Sequence, residues 1–133
     1  MRAVAMNPAM VSVLVVDGHE ASRGALVDLL KLNGYEVRCA AHGGEALMML
    51  SGAALPDVII LDVLLPWVSG SEVLATLRER AGVRRVPVLV VTGVATSESE
   101  LREYAPLRLL RKPLNYDAVV PTLRALLVEA LFH

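Results

Sequence analysis

Four residues of this sequence carry side chains suited to handling a phosphoryl group, and each ends a short, mostly apolar run. Asp17 follows Val13-Leu14-Val15-Val16, Asp62 follows Ile59-Ile60-Leu61, Thr92 follows Val90-Val91, and Lys112 follows Leu109-Leu110-Arg111. β-Branched runs of this length read as strands, so each polar residue falls at the carboxyl end of one. In open parallel sheets that rim is where ligands bind. Two carboxylates with water suit a hard cation such as Mg²⁺, which needs only one or two protein carboxylates beside a phosphate. Lys112 would neutralise charge on a phosphoryl group, and Thr92 would donate a hydrogen bond to it. An aspartate beside a metal can itself be the nucleophile, giving an aspartyl-phosphate. Taken singly, each residue has a plainer reading: Asp as a helix cap, Thr before Gly93 as a turn, Lys-Pro as surface punctuation. Their shared place at the ends of successive strands favours one common site.

The elements that must position these residues alternate along the chain. Strands are predicted at 11–16, 35–40, 57–61, 87–91 and 107–111. A first helix spans 21–32, with Ala25, Leu26, Leu29 and Leu30 on one face, and Asn33-Gly34 closes it through a left-handed glycine. A short helix over 44–50 stops at Gly52. Ser69 and Glu72 stand at capping-box spacing and open a third helix to about Arg80; Ser97 and Glu100 repeat that spacing and open a short fourth, ending near Pro106. The last helix runs from about Asn115 to Leu131, with Val119, Val120, Leu123, Leu126, Leu127 and Leu131 facing inward. Pro121 predicts a kink or an irregular first turn there.

Five βα units imply a parallel sheet with right-handed crossovers and helices on both faces. The first, third and fourth strands are continuous apolar runs, as expected of buried strands. The second alternates (Tyr35, Val37 and Cys39 against Glu36 and Arg38) and the fifth interposes Arg108, which suits edges. The reading is an α/β fold, a single (βα)5 doubly wound sheet of flavodoxin-like order 2-1-3-4-5. Residues 1–10 are read as an N-terminal extension and 11–131 as the domain.

Bulk properties fit one domain. A chain of 133 residues leaves little for a second, and 55% hydrophobic content supplies a core covered on two sides. Thirteen basic residues nearly balance fourteen acidic ones. No basic block or interleaved aromatic patch appears, which argues against direct nucleic-acid binding. The single Cys39 excludes an internal disulfide framework and suits a reducing, cytoplasmic compartment. No apolar run approaches the roughly 18 residues of a membrane span. Asn7 and Pro8 interrupt the one stretch that resembles a signal segment.

The segments Val13-Leu14-Val15-Val16-Asp17, Leu61-Asp62-Val63-Leu64-Leu65-Pro66 with Gly70, Val90-Val91-Thr92-Gly93 and Arg111-Lys112-Pro113-Leu114 resemble the four signatures of response-regulator receiver domains. The likeness covers about 11–131, in the family's order; only the stretch from Thr92 to Lys112 is short. It implies that Asp62 is the phosphoacceptor, taking a phosphoryl group from a sensor histidine kinase or phosphotransfer protein with Mg²⁺ bound. It implies that Asp17 belongs to the metal-holding acidic pair, and that Leu64 contributes a backbone carbonyl to the metal. It implies that Thr92 moves its hydroxyl onto the phosphate and that Lys112 pairs with it. Output would be a change in binding to a downstream protein target, with a homodimer through the face of the fourth and fifth helices as a further option. No enzymatic turnover is implied beyond self-catalysed phosphoryl transfer and autodephosphorylation.

Two positions depart from that pattern. Gly18 stands where the direct metal-ligating carboxylate of the acidic pair is usual, which weakens Mg²⁺ binding without forbidding it. Glu20 suits the first turn of a helix better than the metal, and His19 is expected to face solvent. Leu109, three residues before the lysine, stands where the family places an aromatic read-out residue. Trp67 is expected in the exposed loop beside Asp62. These departures keep open a pseudo-receiver, a protein-docking module independent of phosphorylation. A flavin site is disfavoured because Asp17-Gly18-His19-Glu20 would repel a phosphate. A haloacid-dehalogenase-like phosphatase is disfavoured because Leu64 replaces its second Asp. The opening Met is read as favouring a stand-alone regulator over an excised domain.

Overall fold

A computed structural model describes residues 7–52, 54–65, 68–79, 85–93 and 97–132 of the chain. Its five strands are β1 (Ser12–Val16), β2 (Glu36–Ala40), β3 (Val58–Asp62), β4 (Val88–Thr92) and β5 (Leu107–Arg111). All pairings are parallel and the order is β2-β1-β3-β4-β5, as the alternation patterns predict. The helices are α1 (Glu20–Leu32), α2 (Gly43–Leu50), α3 (Gly70–Glu79) and α4 (Tyr116–Ala130), with 3₁₀ segments η1 (Pro8–Met10) and η2 (Glu98–Tyr104).

Period-two alternation sends neighbouring strand residues to opposite faces. Val13, Val15, Val58, Ile60, Leu89 and Val91 pack under α1 and α4 with Leu26, Leu30, Val119, Leu123 and Leu126. Leu14, Val16, Ile59, Leu61, Val88 and Val90 pack under α2, α3 and η2 with Ala46, Leu50, Val73, Leu74 and Leu101. Strands β1, β3 and β4 are therefore apolar on both sides, and two full cores flank the sheet.

The helix ends follow the chemistry of their flanks. His19 caps α1, its Nδ1 accepting from Ser22 N at 3.3 Å, and His42 caps α2 through Nδ1 and Glu45 N at 3.2 Å. Gly34 adopts φ +87° after α1. Tyr35 N reaches Leu30 O (3.1 Å) and Gly34 N reaches Lys31 O (3.0 Å), a Schellman pair closed by contact of buried Tyr35 with Leu30 in one cluster. Ser69 Oγ accepts from Glu72 N at 3.2 Å, as the capping spacing predicts.

Several sequence expectations need correction. The fourth helix is a 3₁₀ segment rather than an α-helix, although Ser97 caps it as expected, accepting from Glu100 N at 3.3 Å. A seven-residue segment with a rise near 2 Å per residue spans the strand in few residues, which is how the short Thr92–Lys112 stretch is accommodated. Leu131 is exposed rather than inward, Ala25 is exposed although it shares a face with Leu26 and Leu30, and Cys39 is exposed although it alternates with Glu36 and Arg38. Cys39 lies on the edge strand, where helices cover less of the face, and Leu131 lies past the end of α4. The first turn of α4 is tight, Ala118 N bonding Asn115 O at 3.0 Å, and the helix continues through Pro121. Trp67 and Arg80 lie outside the described residues.

Candidate functional site

Strand register brings the four polar residues to one rim. Val16 pairs with Leu61, so Asp17 and Asp62 are the next residues along two adjacent strands, and adjacent strands lie about 4.8 Å apart. Asp62 pairs with Val91, which places Thr92 one step further on. Thr92 pairs with Arg111, which places Lys112 one step further again, and Lys112 N donates to Thr92 O at 2.9 Å. The rim thus climbs one residue per strand from β3 to β5. The carboxylate of Asp62 and the ammonium of Lys112 meet across it, with Nζ to Oδ2 at 2.7 Å.

Asp62 is 4% exposed, and Asp17 is equally buried. Buried carboxylates require partners, and both have them. Asp62 Oδ1 accepts from Leu64 N at 3.0 Å, opposite the Lys112 contact. Asp17 Oδ1 accepts from His19 N at 2.8 Å and Oδ2 accepts from Ser22 Oγ at 2.6 Å. Arg23 Nη1 donates to the Asp17 carbonyl at 3.0 Å. Thr92 is fully buried at the end of β4. Leu64 is exposed, and it is the Leu64 amide that touches Asp62.

Close packing holds the rim in place. Gly70 opens α3 against the end of β3, its N–H bonding Val63 O at 3.0 Å. A Cβ on Gly70 would lie 2.6 Å from Val63 Cα and 2.9 Å from Asp62 O. Only glycine permits this approach, so the helix start fixes the loop that follows the nucleophile candidate.

The other expected residues fall as follows. Gly18 and His19 are exposed and line a shallow groove along α1 with Glu20, Ala21, Gly24 and Asp28. His19 is solvent-facing as expected, and it also caps the helix. Glu20 is the first residue of α1, the role its position predicts. Leu109 is half-buried and packs on the α2–α3 side of the sheet. Sequence reasoning missed Ser22. Its signal is position: three residues beyond the cap, the first turn of α1 brings it back over Asp17.

Among the described residues no cluster of three or more His, Cys, Asp or Glu side chains gathers to hold a metal. The donor set is Asp17 and Asp62. Two carboxylates fit Mg²⁺, which keeps several waters and is completed by a phosphate; they are too few for a cation needing a full protein cage.

An open parallel α/β sheet that gathers two carboxylates, a buried threonine and a lysine at the carboxyl ends of its strands has the architecture of a doubly wound binding module. The family model for the response regulator receiver domain matches residues 13–124. The polar-differentiation response regulator DivK of Brucella anthropi is 32% identical over 121 residues, covering 90% of this chain and 98% of its own. The Vibrio cholerae chemotaxis response regulator CheY4 superposes with a TM-score of 0.79 at 32% identity, covering 88% of this chain and 98% of that one. The Thermotoga maritima response regulator TrrA, solved with Mg²⁺-BeF, gives 0.75 at 30% identity, covering 88% and 99%. The chain belongs to the response-regulator receiver domain family, modules of phosphorelay signalling in two-component systems. Among the described residues no helix is long and apolar enough to cross a membrane.

Proposed function

We propose that Asp62 is the phosphoacceptor of this receiver domain. The observation that carries this is the Lys112 ammonium, 2.7 Å from a carboxylate that is itself buried at a strand end beside Asp17. In the transfer, an Asp62 oxygen attacks phosphorus in line. The new O–P bond forms as the donor's N–P bond breaks, and the donor histidine nitrogen keeps the electron pair and takes up a proton. Lys112 shifts from the carboxylate to the arriving phosphoryl oxygens, and Thr92 donates its hydroxyl to another. Asp17 and Asp62, with the backbone carbonyl of Leu64, would hold Mg²⁺, which supplies charge neutralisation on the equatorial oxygens. With Gly18 in place of a further carboxylate, that binding is weak.

The partners are a sensor histidine kinase or phosphotransfer protein upstream and a protein target downstream, in the cytoplasm. The chain's own chemistry is limited to self-catalysed transfer and autodephosphorylation. Incubation with acetyl phosphate or phosphoramidate across Mg²⁺ concentrations tests the reading by intact mass. A phosphoryl adduct on the wild type that is lost in Asp62→Asn supports it. Unmodified wild type at high Mg²⁺ would instead support a docking module that works without phosphate.

A further inference from the structure

The two ends of η2 are held in different ways. At its rear, Arg78 of α3 donates from Nε to Tyr104 O at 2.8 Å and from Nη2 to Pro106 O at 3.3 Å. Arg85 donates to Ala105 O at 2.6 Å. Three consecutive carbonyls between η2 and β5 are thus pinned by two cations. Burial, together with the like charge of Arg85, pushes the Arg78 pKa down to about 10, so it remains cationic at neutral pH. At the front, the Glu98 carboxylate reaches the sheet: Oε1 accepts from the backbone N–H of Leu109 at 3.0 Å.

Strand geometry explains why that amide is available. Lys112 N faces β4, where it bonds Thr92 O. Amide direction alternates along a parallel strand, so the amides of Leu110 and Arg108 also face β4, while those of Leu107, Leu109 and Arg111 point outward. β5 is an edge strand, so its outward amides are not used by the strand ladder. Glu98 takes the middle one. This carboxylate is exposed and makes one contact, whereas at the rear Arg78 makes two part-buried contacts and Arg85 adds an exposed one, so the front is the weaker attachment.

Five residues separate Glu98 from Thr92. We propose that Glu98 is the release catch of the switch: its hydrogen bond to Leu109 N holds the front of η2 on the edge of β5, and Thr92 moving onto a phosphoryl group draws that front away about a hinge at Arg78. The proposal rests on the phosphoacceptor reading of Asp62. By linkage, a catch that favours the unphosphorylated arrangement also opposes phosphorylation.

Amide hydrogen exchange by two-dimensional NMR, with phosphoryl adducts followed by mass in the same samples, tests it. Without phosphodonor, Glu98→Ala should speed exchange at Leu109 about tenfold, the loss of one hydrogen bond to a charged acceptor. Leu110, bonded to β4, should be unchanged, which also reports that the variant is folded. Glu98→Gln, which keeps a neutral acceptor, should fall between. With acetyl phosphate and Mg²⁺, Glu98→Ala should reach about a threefold higher ratio of adduct to unmodified protein than wild type, and phosphorylated wild type should show the fast Leu109 exchange. Equal Leu109 exchange in wild type and Glu98→Ala overturns the catch. So does a confirmed adduct on wild type that leaves Leu109 slow. Absence of an adduct on either protein overturns the Asp62 reading and the coupling with it, while the comparison without donor still decides whether the catch exists.

Discussion

Every side-chain oxygen of Asp17 and Asp62 accepts a hydrogen bond, but from different company. Asp62 faces a cation and an amide; Asp17 faces an amide and a hydroxyl. The rim therefore carries two carboxylates against one ammonium, and Gly18 leaves out the third carboxylate that would draw a divalent ion in strongly. Gly18→Asp should tighten Mg²⁺ about tenfold, because a carboxylate within about 4 Å of the ion is worth a few kcal/mol before its own desolvation is subtracted. Calorimetric titration reads this directly, and an unchanged affinity would place the new side chain away from the ion. At this scale the sequence was highly legible. Asp17, Asp62, Thr92 and Lys112 each follow a run that reads as a strand, so strand prediction together with the parallel order gathers them. Ser22 was not legible, since its contact with Asp17 depends on where the first turn of α1 bends back after His19.

Elements were legible wherever one pattern allowed one structure. The left-handed closure of α1 followed from Asn33-Gly34, and the edge positions of β2 and β5 followed from their alternation. The 3₁₀ character of η2 did not. A serine bonding the amide three residues on caps a 3₁₀ helix and an α-helix alike, so Ser97 and Glu100 mark a start without saying which helix begins. Glycines show the same split between pattern and environment. Gly24 and Gly70 both lie within helices, yet a Cβ on Gly24 meets nothing within 4 Å while one on Gly70 strikes the backbone of Val63 and Asp62. Gly24→Ala should stabilise the domain by about 0.7 kcal/mol through helix propensity. Gly70→Ala should destabilise it by about 2 kcal/mol through overpacking, and should slow phosphorylation because the displaced loop carries Leu64. Urea denaturation of both variants checks the opposite signs.

The whole molecule is a sheet with a core on each side, and the alternation that builds it makes sequence neighbours strangers in space. Ile59 packs with Leu74 and Leu50 under α2 and α3, whereas Ile60 packs with Leu123 and Leu126 under α4. Both isoleucines are 1% exposed or less, so removing a methylene from either should cost about 1 kcal/mol. The two side chains share a peptide bond but no packing partners, with the sheet between them. Ile59→Val and Ile60→Val should therefore add in the double variant to within about 0.5 kcal/mol, as independent sites do. Unfolding should remain one transition in all three, with the same denaturant slope, because both cores share β1, β3 and β4 and neither half can open alone. A coupling well above that margin would mean that strain passes through the backbone of β3. Since Asp62 ends that strand, core packing would then reach the proposed phosphoacceptor itself.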